Sequence, residues 1–192
     1  MDQTKIIDLE QGVVHLHDQF CSDKEIQQLY HILDPALKDE RFLKSQQIAL
    51  SSSNGEDFFD GLGSLYDYDL KKMTRNTSDY TILNKTLQSS PLADIFDVAK
   101  EVAYKAGRNI GRIRLMRLKP KTCLSLHVDL DEWRLHIPLN TNPGAFFVVN
   151  NRVLRMPKQG SLYLLNTRDP HTAVNASFQI RDHLVFDTYN KN

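Results

Sequence analysis

The residues of this chain that could do chemistry together gather in its second half. In "SLHVDLDEWRLHIPL" (125–139), His127 and Asp129 stand two positions apart. On an extended backbone such positions share a face, so an imidazole and a carboxylate can reach one cation from adjacent rungs. His171, in "RDPHTAVN", follows 44 residues after His127, just past a strand candidate. Two neutral imidazoles and one carboxylate on one side of an ion form the facial donor set of non-haem iron(II) oxygenases, which leaves coordination positions open. Arg181 comes ten residues after His171, near the start of the last strand candidate. A dicarboxylate cosubstrate chelating iron must send its far carboxylate into a dry pocket, and a buried carboxylate calls for a bidentate guanidinium.

Each of these features alone has a plainer reading. His-x-Asp is commonly a surface hydrogen-bonded pair, a histidine after a strand is loop chemistry, and an arginine on a strand solvates an edge. Their joint occurrence, in this order and in one half of the chain, is what favours a metal site.

The elements that must position these residues are strands. From about residue 110 the hydrophobic period is two, giving candidates at 112–118, 132–139, 145–149, 152–156, 161–165 and 180–189. In "EWRLHIPL", Trp133, Leu135, Ile137 and Leu139 share one face, while Arg134, His136 and Pro138 share the other. Trp133 is therefore expected in the core. Asn150 and Asn151 suit the positive φ of a tight hairpin, and "PKQG" and "NTNPG" are further turn signals. The segment 1–110 reads instead as helix and loop. "CSDKEIQQLYHIL" sets Ser22 and Glu25 in capping-box spacing, with Ile26, Leu29, Tyr30 and Leu33 on one face. "SSPLADIFDVAKEVAYKAG" begins with Ser90 as N-cap, carries a stripe of Leu92, Ile95, Phe96, Ala99 and Ala103, and stops at Gly107. The loop 51–69 is read as either a lid or a surface loop pinned by Phe58, Phe59 and Tyr66. The whole predicts a mainly β protein with an α layer, an antiparallel sandwich or barrel with helices packed on one outer face.

Composition narrows the partners. Lys+Arg and Asp+Glu balance at 24 each in 192 residues, so no basic field points to nucleic acid or an anionic membrane. One domain spanning 1–192 accounts for the length. Cys21 and Cys123 match no metal-ligand spacing, and both are expected to be inert and partly buried. The start "MDQTKIIDLEQG" carries no apolar leader, and the expected setting is the cytoplasm.

The stretch "LKPKTCLSLHVDLDEWRLHIPL…GSLYLLNTRDPHTAVNASFQIRDHLVFD", about residues 110 to 188, resembles the aspartyl/asparaginyl β-hydroxylase-like family of 2-oxoglutarate and iron(II)-dependent oxygenases, which includes free-proline hydroxylases. That resemblance implies a double-stranded β-helix (jelly roll, cupin-like), with His127, Asp129 and His171 binding iron(II) and Arg181 anchoring the distal carboxylate of 2-oxoglutarate. It makes His136 a cosubstrate contact and leaves Arg134 to serve either cosubstrate or substrate carboxylate. It further implies O2 as oxidant and hydroxylation of an amino acid, or of an Asp, Asn or Pro side chain in a peptide or protein. Arg134 beside the metal tilts the expectation towards a small carboxylate-bearing substrate or a short peptide. Asp129 sets the chain apart from the animal members, which lack an acidic ligand, and likens it to bacterial and viral relatives.

Several flanking residues have open roles. His183 shares a face with Arg181 and would stand behind it; Asn166, Arg168 and Asn175 either bind substrate or pair the loop's own backbone; His15 and His17 are expected at the surface. Two other functions fit parts of the pattern: a non-catalytic cupin-like binding module, which does not require all three ligands, and a zinc hydrolase, which has no use for Arg181.

Overall fold

The computed structural model describes residues 12–67, 69–129 and 133–190. Glu132, the first residue of one predicted strand, Tyr68 within the predicted loop, and the chain start lie outside them. The N-terminal part runs β1 (Val13–His17), α1 (Asp23–Leu37), α2 (Glu40–Ser45), β2 (Gln47–Ala49) and β3 (Ser51–Ser52), then β4 (Tyr66–Asp67), β5 (Lys72–Met73), β6 (Ile82–Leu83), α3 (Lys85–Gln88) and α4 (Ala93–Lys105). The strand-rich part follows with β7 (Arg108–Leu118), β8 (Thr122–Cys123), β9 (Trp133–Asn140), β10 (Ala145–Val149) and β11 (Arg152–Leu154), and closes with β12 (Leu162–Asn166), β13 (His171–Asn175) and β14 (Arg181–Asn190).

Two antiparallel sheets face one another. The larger has the order β1-β12-β9-β14-β7-β2 and the smaller β11-β10-β13-β8. This is the antiparallel β architecture expected from the strand pattern, and the double-stranded β-helix that the family resemblance implies. No helix among the described residues is long and apolar enough to cross a membrane.

The alternation along the strands builds two cores. Leu135, Ile137 and Leu139 of β9, with Leu184 and Phe186 of β14, turn outwards under the helices and meet Ile26, Leu29 and Leu33 of α1 and Ile95, Phe96 and Ala99 of α4. Each such side chain contributes about 1.5–3 kcal/mol when fully buried. Trp133 packs at the margin of this cluster, as its strand face requires. A smaller apolar cluster, with Phe147, Val149, Met156, Tyr163, Leu165 and Ala173 among its members, fills the space between the sheets. Beside it the interior carries the buried polar side chains of His136, His171, Arg181 and His183.

Local signals explain the element ends. Ser22 caps α1: its Oγ accepts from the Glu25 amide at 3.3 Å, and the Glu25 carboxylate accepts from the Ser22 amide at 2.7 Å. The second long helix starts later than Ser90 predicts, at Ala93, because Ser90 Oγ accepts from the Leu92 amide in a turn before the helix. Asn150 and Asn151 take φ of 46° and 61° in the β10–β11 hairpin, as predicted. "HTAVN", read from sequence as a loop, is the strand β13, paired along its length with β10. Among the described residues the loop after β3 does not line the central cavity; Phe58 and Phe59 pin it to the helical core. Cys21 is buried as expected, but Cys123 is exposed because β8 is the edge of the smaller sheet. His15 and His17 lie exposed on β1.

One irregularity matters for the interior. Opposite Asp187 of β14, strand β7 carries an extra residue at Gly111–Arg112, so Ile110 and Ile113, three apart, both reach the helical core. Gly111 is required there, since a Cβ would stand 2.6 Å from the Thr77 carbonyl oxygen.

Candidate metal centre and cosubstrate cavity

His127 and His171 are held opposite one another by paired backbone hydrogen bonds, His127 N–H to the His171 carbonyl at 3.0 Å and the reverse at 2.8 Å. The Asp129 amide donates to the Thr167 carbonyl at 3.1 Å. Cross-strand pairing therefore brings together residues 44 apart in sequence. The metal-competent atoms of His127, Asp129 and His171 all lie within 4.8 Å of one another. Asp129 Oδ2 is 3.4 Å from His171 Nε2, and Asp129 Oδ1 is 3.9 Å from His127 Nε2.

The tautomers suit a metal. With Nδ1 of His127 donating to the Ser125 carbonyl at 2.7 Å, and Nδ1 of His171 to the Asp169 carbonyl at 3.0 Å, each ring keeps its Nε2 lone pair for a cation. Burial works against the Asp129 carboxylate, but the contact with His171 and the charge of Arg134 outweigh it and hold its pKa below the usual range. Two lone pairs and one carboxylate oxygen thus converge without needing to move a proton.

A cavity of about 240 Å³ runs from this point between the sheets, lined by His127, His171, Arg134, His136, Phe147 and Arg181 among others. Arg181 lies within it, 4% exposed, its guanidinium 4.6 Å from the centre of the Phe147 ring and Nη2 donating to His183 Nδ1 at 3.0 Å. Among the described residues no carboxylate pairs with it. Burial alone brings its pKa down to about 9, with Asp182 opposing from a distance. His136 is buried beside it, and its Nε2 has no hydrogen-bond partner among the described residues. Burial, then the charge of Arg181, drives both His136 and His183 well below the ordinary histidine pKa, so both rings are neutral. An unpaired buried guanidinium and an unsatisfied imidazole nitrogen are costly unless a polar ligand completes them. A carboxylate is the group that would do so.

Arg134 stands elsewhere than a free anion receptor would. Its Nη1 is 2.8 Å from Asp129 Oδ2 and its Nε 2.9 Å from Asp187 Oδ1. Asp187, fully buried, also accepts from Arg112 Nε at 2.8 Å and from Arg114 Nη2 at 2.9 Å. The network of Arg112, Arg114 and Asp187 was not legible in advance. Its signal was the alternation of Arg112 and Arg114 along "RIRLMRL" and an aspartate on the facing strand. Asn166 and Asn175 prove to serve the backbone: Asn166 Oδ1 accepts from the Arg168 amide at 2.9 Å, and Asn175 Nδ2 donates to the Gln179 carbonyl at 2.7 Å.

Comparison with known proteins agrees with this picture. The family model for aspartyl/asparaginyl beta-hydroxylase matches residues 66–191. No curated protein matches the chain significantly. Among solved structures, the viral collagen prolyl hydroxylase of Paramecium bursaria Chlorella virus-1 is similar with a TM-score of 0.62 at 12% identity, covering 100% of this chain and 96% of that one. A 2OG-Fe(II) oxygenase family oxidoreductase from Burkholderia pseudomallei gives 0.55 at 15% identity, with 96% and 88% covered, and IDO from Bacillus thuringiensis gives 0.53 at 11%, with 96% of each covered. At these identities the structures speak for the fold. The family match spans well over half of the sequence, and on it the chain belongs to the aspartyl/asparaginyl β-hydroxylase family of 2-oxoglutarate- and iron(II)-dependent hydroxylases.

Proposed function

We propose that His127, Asp129 and His171 hold iron(II) in this chain, and that Arg181, assisted by His136, receives the distal carboxylate of 2-oxoglutarate. The observation that carries the reading is the pairing of two complementary features in one cavity. At one end three donors lie within 4.8 Å of one another, and further in stands a buried guanidinium that meets no carboxylate among the described residues. Bound there, iron(II) supplies O2 activation coupled to oxidative decarboxylation of 2-oxoglutarate, and with it hydroxylation of a C–H bond.

The protein's own part is positional. The Ser125 and Asp169 carbonyls fix the two tautomers, Phe147 and Leu165 keep the inner cavity apolar, and Arg181 sets where a dicarboxylate ends. The substrate we propose is an amino acid or an Asp, Asn or Pro side chain in a peptide. We include prolyl peptides in the screen because a protein of similar fold is named a viral collagen prolyl hydroxylase. The expectation of a small carboxylate-bearing substrate read from Arg134 loses its basis, because two carboxylates already engage that guanidinium. We also read 1–192 as one catalytic domain, since α1 and α4 share a core with the larger sheet. A cytoplasmic setting fits two free thiols.

The test is anaerobic loading with Fe(II) and 2-oxoglutarate, then admission of O2 with a panel of amino acids and peptides while succinate is followed. Metal-dependent succinate release, stimulated by one panel member, is expected. A chain that binds neither Fe(II) nor Mn(II) would be a binding module, and turnover independent of 2-oxoglutarate would make it a hydrolase.

A further inference from the structure

We infer that Arg134 is a positioning residue for the metal ligand Asp129, anchored in that role by Asp187; the inference rests on the ligand assignment made above. Arg134 and Asp187 are cross-strand partners on β9 and β14. The guanidinium spans two carboxylates, Nε 2.9 Å from Asp187 Oδ1 and Nη1 2.8 Å from Asp129 Oδ2. Both contacts are ion pairs at close range, so one cation bridges the two carboxylates.

Asp187 is well suited to fix it. It is fully buried, and Arg112 and Arg114 hold it from β7, Arg114 reaching both oxygens at 2.9 Å. Arg112 is itself tied down, its Nη1 donating to the Gly61 and Gly63 carbonyls at 2.9 and 3.0 Å. The extra residue at Gly111–Arg112 in β7 faces Asp187 and sets Arg112 against it. A chain of charged contacts therefore runs from the loop after β3, through Asp187 and Arg134, to Asp129.

The consequence for the metal centre is geometric. With one oxygen in ion-pair contact with Arg134 at 2.8 Å, the Asp129 carboxylate is drawn into the orientation in which its oxygens lie 3.4 and 3.9 Å from the two imidazole Nε2 atoms. On the backbone side, the Asp129 amide reaches the Thr167 carbonyl, beyond the end of β12. Arg134 thus acts on the metal through its ligand, and Arg181 is left as the receptor for the cosubstrate carboxylate.

The experiment uses the whole chain. Mn(II) affinity is measured from the EPR signal of free Mn(II), and 2-oxoglutarate affinity is measured separately at saturating Mn(II), for wild type, Arg134→Gln, Arg134→Lys and His171→Ala. Arg134→Gln is expected to weaken Mn(II) binding about 10–100-fold and to leave 2-oxoglutarate binding at saturating metal unchanged. Arg134→Lys, which keeps the charge but not the fork, is expected to recover part of the loss. Unchanged Mn(II) affinity with weakened 2-oxoglutarate binding would overturn the inference and make Arg134 a cosubstrate contact. Failure of both Arg134 variants to fold would overturn it too, marking the residue as structural. If instead wild type binds no Mn(II), or His171→Ala binds it as well as wild type, the ligand assignment itself has failed.

Discussion

Around Asp187 three guanidiniums converge on one carboxylate, whereas Arg181, on the same strand six residues earlier and just as deeply buried, meets no carboxylate among the described residues. The two regions share a strand face, a sheet and a level of exposure, yet they resolve the cost of a buried cation in opposite ways. At Asp187 a carboxylate of the protein itself stands among the cations, and burial is overcome: the three arginines hold its carboxyl far below the usual range. At Arg181 no carboxylate among the described residues makes contact, Asp182 opposes only from a distance, and burial lowers the arginine's own pKa to about 9. The first arrangement suits a frame that must not move. The second suits a receptor whose partner arrives from solution.

The largest effect expected from breaking this comparison is at the frame. Asp187→Asn removes the counter-charge of three arginines and should destabilise the fold by about 3–5 kcal/mol, the cost of leaving buried charge unpaired. Urea denaturation of the metal-free chain reads it. Removing Arg181 should do the reverse to stability. Arg181→Met deletes a buried cation that the free protein does not neutralise, so the metal-free chain should be as stable as wild type or more so. Its 2-oxoglutarate affinity should fall by about 3 kcal/mol, on the order of a hundredfold. Isothermal titration at saturating Mn(II) checks this, and an unchanged dissociation constant would place the distal carboxylate elsewhere.

The receptor should also be the acid-sensitive region. His136 and His183 are held neutral with folded-state pKa values well below that of the unfolded chain, near 6.5. The unfolded state then takes up more protons as pH drops, so their contribution to stability is complete above about pH 6.5 and is lost as pH falls below it. The slope should approach about 1.4 kcal/mol per pH unit for each ring. His183→Gln should flatten the curve of unfolding free energy against pH between about 6.5 and 5, and an unaltered slope would show that this ring does not titrate there.

How far these regions could be read in the sequence follows from what each uses. His127 and Asp129 declared themselves because a spacing of two on extended backbone fixes a shared face, and Arg181 because a buried carboxylate calls for a guanidinium and the family resemblance marks its place after His171. The capping box of α1 and the Asn150–Asn151 turn are equally local. Asp187 was invisible for the opposite reason: its partners Arg112 and Arg114 lie 75 and 73 residues away, and nothing local to either strand states which will be neighbours. Strand β13 was missed because "HTAVN" is short and sits between turn residues, so its pairing with β10 comes from tertiary context. Arg134 was located on the correct face, but which anion it would meet depended on two carboxylates, one of them on β14.

Asp182, the residue after Arg181, faces the helices instead of the cavity, and it offers the smallest and most selective test. It is fully buried and accepts two bonds from Arg117, at 2.8 and 2.7 Å, and a third from the Tyr30 hydroxyl of α1 at 2.7 Å. Burial, reinforced by the Asp182 charge, pushes the Tyr30 pKa far up, so the hydroxyl remains a donor. Tyr30→Phe should therefore cost about 1.5 kcal/mol of stability, the lower end for a hydrogen bond to a charged group, since the carboxylate keeps its Arg117 partner. Because strand alternation sends residues 181 and 182 to opposite faces, 2-oxoglutarate affinity should not change. A shift in that affinity would mean that the helical layer holds Arg181 in place, and the receptor would then depend on internal bracing as much as the frame around Asp187 does.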